Sequence, residues 1–372
     1  MKAYQCYANL VSSIKCAHSG AYKSRELDST INQFPLQVHT VEQGFIAENH
    51  PTFNLQFGDQ VISINGVSWK TIMNQGMHLH SSDGYSPLNN EAFQKSLAND
   101  IPVIVGNQSH YDLMVVRSTN DTLSLRLKAS SESIDQRLSP RFEFSITGPT
   151  KNIGLITVHS FPSDVSSIRA FEKFCLKTRN KIKCKKIEHV IIDLRNNGGG
   201  DRLDLLLRFF APKSFAMMAS SVLDTTNLSK YRDKVVFQNL TYDQVLHQQS
   251  TSEPSGWVDN QGKLYLDVNL YVLTNGRTAS AASHFASLVK ENKLGKIVGT
   301  ETGGRASGCN GSVYGSYFLP HSGIEIWLPL VKNTYAVDQI SNQNHGVIPD
   351  ILIEKELSDE LQLATLIKLI SQ

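Results

Sequence analysis

No apolar run in this chain of 372 residues approaches the ~18 needed to cross a bilayer. Cysteine is sparse: Cys6, Cys16, Cys175, Cys184 and Cys309. An odd, scattered set excludes a disulfide framework, and no two of them have zinc-ligand spacing. Cys175 and Cys184 could bridge in an oxidising compartment, but free thiols are the expectation. Neither sign of charge prevails, with 36 Lys and Arg against 34 Asp and Glu, so nothing favours nucleic acid or an anionic membrane as partner. Internal repeats and low-complexity tracts are also absent. The opening residues MKAYQCYANLVSSIKCAHSG do not form a signal peptide, because the apolar stretch is short, interrupted and lacks a small-residue cleavage signal. That leaves the cytoplasm, or the cell envelope if a leader precedes Met1.

What is present is enough chain for two or three cores. Apolar residues at Tyr4, Tyr7, Leu10, Val11 and Ile14 have helical spacing, and a polar joining segment follows over roughly residues 19–33. Residues 34–128 read as a small, mostly β unit. Within it Val61, Ile62 and Ile64 supply a buried strand, Asn65-Gly66 a hairpin turn, and residues 111–130 two strands around a polar turn. From about residue 141 strands alternate with helices, the pattern of a sheet with helices packed on it. HVIIDLR (189–195) is a continuous apolar strand of the kind buried on both faces. Residues 264–275 read as another strand, 164–182, 204–212 and 278–295 as helices.

Three segments can carry chemistry. In YVLTNGRTASAASHFASL a buried strand ends at Asn275-Gly276 and a helix restarts just after Ser280. A hydroxyl is thereby placed at a helix N-terminus, where unpaired N–H groups favour developing negative charge. Acyl transfer needs that pairing of nucleophile and oxyanion site. The plainer explanation is a capped helix, with Thr278 or Ser280 as N-cap. In IIDLRNNGGGDRLDLLL a strand opens into Gly198-Gly199-Gly200, whose backbone can approach a ligand closely. It lacks the lysine of a phosphate loop and the spacing of a dinucleotide loop. It can donate to an oxyanion, or be only a flexible connection. The third segment, KCAHSG (15–20), holds His18, and a lone histidine is more often structural than not.

IIDLRNNGGG, TASAAS, the ETGG loop (301–304) and GVIPD (346–350), in that order, resemble the serine peptidases of the C-terminal-processing or tail-specific family S41. That family includes the tricorn core and the retinoid-binding photoreceptor repeats. GDQVISING resembles its PDZ-type module, and HSSDGYSPLNN (80–90) with KCAHSG resembles its bacterial, tricorn-like branch. The resemblance implies a ClpP/crotonase-like α/β core with helices on a twisted sheet, plus an inserted, β-rich PDZ-like domain. The divisions it implies are 1–33, an N-terminal helical segment of the catalytic domain; 34–135, the insert; and 136–372, the core. It implies Ser280 as nucleophile, His18 as general base, and an oxyanion hole from Gly199, or a neighbouring glycine, and the N–H of Ala281. Peptide or protein is the implied substrate, and no metal or organic cofactor is called for.

The match departs from the family in three places. One branch uses a Ser–Lys dyad, and its lysine position here holds Arg305, which stays protonated and cannot serve as a base. The histidine branch has a hydroxyl residue before its histidine and a glutamate three residues before the glycine of GVxPD. This chain has Ala17 and Gln343 there. Gln343 can orient an imidazole but cannot stabilise imidazolium as a carboxylate does; Asp338 is close enough in sequence to substitute. His284, His80 and His345 compete with His18 as base. These departures also fit a catalytically degenerate binding protein on the same fold, and a non-peptide acyl hydrolase would share the chemistry.

Overall fold

The computed structural model describes all residues except 41–43, 47–48, 131–141, 224, 226–227, 238–239, 248–249, 260–263, 339–343 and 354–357. Its described strands form three sheets. The first is the α/β core, in the order 351–352, 296–299, 269–274, 189–193, 153–158, 142–147, parallel except for the last strand. The central strand His189–Asp193 explains its own composition. Val190 and Ile192 enter one apolar cluster with Phe171 and Phe285, while Ile191 enters another with Leu273, Val298 and Leu366. Both faces are covered, so no alternation is needed, and each such side chain contributes about 1.5–3 kcal/mol by leaving water. The strand predicted over 264–275 begins only at Asn269. Before it, Leu266 N–H donates to Phe209 O at 2.7 Å, which takes that residue out of the ladder.

The second sheet is antiparallel and built on two long strands, Gly308–Phe318 and Glu325–Tyr335. It also corrects the reading of residues 19–33 as a mere joining segment. Gly20–Tyr22 is a strand that pairs antiparallel with Glu325–Trp327. This pairing fixes the loop between the first helix, Lys2–Ser12, and the core, the loop that carries His18.

The third sheet lies within residues 38–128 and has its own apolar cluster, running from Phe34 to Leu127. Asn65 and Gly66 have φ of 50° and 75°, the left-handed pair that a two-residue hairpin requires. The unit is less β-rich than its sequence suggests, because it contains the helices Trp69–Met77 and Leu88–Val105. The first is capped by Ser68, whose Oγ accepts from Thr71 N–H. The second accommodates Pro102, whose missing N–H frees the Ala98 carbonyl; that carbonyl instead accepts from Phe34 N–H at 2.9 Å. The boundary expected at residue 135 falls outside the described residues.

The loop between these two helices, residues 78–87, leaves the unit and packs on the α/β core. Tyr85 N–H donates to Asn344 O at 2.9 Å, and Gly276 lies so close to Glu91 that a Cβ there would be 2.7 Å from Glu91 Cγ. Among the described residues no helix is long and apolar enough to cross a membrane.

Candidate active site

The parallel strands His189–Asp193 and Asn269–Thr274 are neighbours, so the loops after them emerge at the same edge of the sheet. This is the edge at which open α/β sheets bind ligands. Polar bonds lock the loops together. Asn196 and Asn275 exchange Nδ2-to-Oδ1 and N–H-to-Oδ1 bonds at 3.1 and 3.0 Å, Thr278 Oγ1 donates to Leu194 O at 2.8 Å, and Ala279 N–H donates to Asn197 O at 2.9 Å.

Ser280 stands at the turn into the helix Ala281–Glu291, with φ 52° and ψ −124°. A non-glycine residue held there costs of order 1–3 kcal/mol, and such strain persists where surrounding structure imposes it. Ser280 accepts no capping hydrogen bond, which removes the plainer explanation of its hydroxyl as an N-cap. Thr278 does the local structural work instead, accepting from Asn275 N–H at 3.0 Å. The Ala281 N–H is the first of the helix and faces no intrahelical acceptor.

Gly199 touches the serine through space rather than through its amide. A Cβ on Gly199 would lie 2.6 Å from Ser280 Cβ and 3.0 Å from Oγ, and its φ is +115°. Its N–H donates to Asn197 Oδ1 at 2.9 Å. Asn197 is fully buried and spends its Nδ2 on Val158 O at 2.7 Å, which holds the amide oxygen toward Gly199. Gly199→Ala is therefore expected to displace Ser280 and to slow acyl transfer on the order of 10²-fold, the usual penalty for a misplacement of about 1 Å. Fluorophosphonate labelling rates, with the circular dichroism spectrum as a check on the fold, would measure this; labelling at the wild-type rate would contradict it.

His18 lies beyond the end of the first helix, against the long strand Gly308–Phe318 of the second sheet. Its Cδ2 comes within 3.8 Å of a Cβ position on Gly311, and its ring centre is 6.4 Å from that of Tyr314. Its Nδ1 is buried without a hydrogen-bond partner. Burial pushes the imidazole below its ordinary value, opposed by the charge of Asp83. Two routes tie this loop to the serine. On one side Asp83 accepts from Ala17 N–H at 2.8 Å and from Arg305 N–H at 3.4 Å, while a Cβ on Gly304 would sit 2.9 Å from Ser280 N. On the other, Cys309 and Ser283 both act on the Tyr335 side chain, and Ser283 Oγ donates to Ser280 O at 2.8 Å. Asp83 lies in the segment HSSDGYSPLNN, which the sequence marks only as a whole.

The other candidates occupy structural positions. His284 is buried, stacked on Tyr335 at 3.7 Å, and its Nε2 pairs with Met217 O at 2.9 Å. His80 pairs with Asp100 at 2.6 Å and His345 with Glu301 at 3.2 Å. Arg305 reaches Lys15 O with its guanidinium at 3.5 Å. Asp338 is exposed, and Gln343 lies outside the described residues. All five thiols are free, with Cys175 buried and Cys184 exposed.

Burial lowers His284 from 6.5 to about 4. Between those values the unfolded chain binds a proton that the folded chain refuses, so stability falls as pH drops from 6.5 toward 4. The loss should reach about 2–3 kcal/mol by pH 4.5. Urea unfolding at pH 7 and 4.5 should show a smaller drop for His284→Phe than for wild type; equal drops would refute the assignment.

A strained serine at a strand-to-helix turn, beside a glycine loop and a helix N-terminus, is an arrangement of the kind serine hydrolases use. The model of peptidase family S41 matches residues 152–353, more than half of the chain, and the chain belongs to that family. It is accordingly a serine-type peptidase. Among solved structures, mature CPAF complexed with lactacystin has a TM-score of 0.63 at 16% identity, covering 99% of this chain and 88% of that one. A crystal structure of mature CPAF gives 0.59 at 16%, covering 94% and 82%. At these identities the likeness concerns the fold. A search of the curated proteins finds no match to the chain.

Proposed function

We propose that the chain hydrolyses peptide bonds through an acyl-enzyme on Ser280, with His18 as general base. The observation that carries the reading is the Ser280 turn itself: positive φ, an uncapped hydroxyl, Gly199 packed on it and the open Ala281 N–H one residue on. Neutral His18 takes the hydroxyl proton as Oγ attacks the peptide carbonyl carbon. The carbonyl oxygen becomes an oxyanion held by Ala281 N–H and by an N–H of the glycine loop. The imidazolium gives its proton to the leaving amine as the C–N bond breaks. Water, deprotonated by His18, then attacks the ester and frees the carboxylic acid and Ser280. Depression of the His18 pKa by burial supports the role, since it keeps the base unprotonated at neutral pH.

The division at residues 33 and 135 belongs to the same proposal, supported by the separate sheet and apolar cluster of the insert. As a PDZ-like module the insert would receive substrate by strand addition at an exposed sheet edge. The test of the nucleophile is labelling with a fluorophosphonate, which reacts with activated serines. Wild type should form one adduct and Ser280→Ala none; undiminished labelling of the variant would sink the reading.

A further inference from the structure

We infer that Asp83 is the acidic positioning residue of this site, orienting His18 and balancing the imidazolium that forms when Ser280 loses its proton. The inference rests on the assignment of Ser280 and His18 above. A histidine base without an acid partner is left in no fixed tautomer, and its charged form is unsupported. The residue at the expected position, Gln343, carries no charge.

Asp83 is only 2% exposed, and among the described residues it makes no ion pair. A buried carboxyl group without a cation is costly unless its surroundings use it. Its Oδ1 accepts from Ala17 N–H, the amide next to His18, and its Oδ2 is held only by the long bond from Arg305 N–H. Second, the loop around it is tied to the same segment again, since Gly84 N–H donates to Lys15 O at 3.3 Å. Third, His18 Nδ1 is a buried polar atom with no partner, Asp83 included, so in this structure Asp83 holds the histidine through the Ala17 amide and its Nδ1 is free to pair once protonated. Lastly, the Asp83 charge acts on His18, and also on Cys309 and Tyr335. Among the described residues, the other titratable or charged groups near the histidine include the Cys309 thiol and Tyr314 phenol, which share the Gly311 surface with it, the Cys16 thiol two residues before it and the Arg305 guanidinium on Lys15 O. None of them can accept a proton-bearing Nδ1 as a carboxylate does. The acid thus comes from the insert, between its two helices, so the site is complete only when the insert is docked on the core.

The test is Asp83→Asn, which keeps an oxygen for Ala17 N–H and removes the charge. On a peptide substrate kcat should fall on the order of 10²–10⁴-fold with KM little changed. The acidic limb of the kcat/KM profile should also move to lower pH, because Asp83 raises the His18 pKa and its loss lets that value drop. A kcat near wild type with an unmoved limb overturns the inference. If the variant fails to fold, His18 of the wild-type enzyme can be followed by nitrogen-15 NMR through its titration. A strongly hydrogen-bonded Nδ1 proton in the imidazolium form supports the inference, and a freely exchanging one overturns it. Ser280→Ala in the same assay separates the two levels: an active Asp83→Asn beside a dead Ser280→Ala removes Asp83 alone, whereas an active Ser280→Ala removes the nucleophile.

Discussion

Ser280→Ala is expected to lower kcat on a peptide substrate about 10⁶-fold, while KM and the fold are retained. The magnitude follows from what the hydroxyl does. Without it no acyl-enzyme forms, and only substrate positioning and the oxyanion donors remain, worth about 10³–10⁴ over the uncatalysed reaction. The fold should survive because the hydroxyl caps nothing, and the bonds that shape the turn belong to Asn275, Thr278 and Asn197. Circular dichroism and a thermal melt would check this. A variant that keeps a tenth of the activity would transfer the nucleophile to another residue.

His18→Ala is expected to cost nearly as much, about 10⁴–10⁶-fold, and to add almost nothing when combined with Ser280→Ala. Nucleophile and base act as one unit, so removing either removes the step that both serve. Additive losses would mean that His18 acts elsewhere, in substrate binding or in the fold. The structural load on the imidazole is small, since its Nδ1 bonds nothing and the loop is pinned by Gly20–Tyr22 and by Asp83 on Ala17. A large loss of stability in His18→Ala would therefore also count against the assignment.

The α/β core was legible because its signals are local. His189–Asp193 is apolar without alternation since it is covered on both faces, and the helix after Ser280 starts where the small residues begin. Asn65-Gly66 announced its hairpin through two residues that tolerate positive φ. The Gly20–Tyr22 strand was not legible, because three residues carry no period and its partner lies some 300 residues away. Asp83 was hidden for the same reason. It sits in a Ser-Asp-Gly loop of ordinary turn composition, and only the folded chain brings it to Ala17. Gly199 was legible through glycine's backbone freedom, which its φ of +115° uses; what the sequence did not show is that the missing Cβ makes room for Ser280.

The central claim is that a covalent ester forms on Ser280, and the most direct measurement is to trap it. An activated ester or peptide ester is mixed with the enzyme, quenched in acid within the first turnover, digested and mapped by mass spectrometry. The account predicts a single acyl group on the peptide containing Ser280, absent in Ser280→Ala and strongly diminished in His18→Ala. Turnover without any acylated serine, or an acyl group on a different residue, would contradict it.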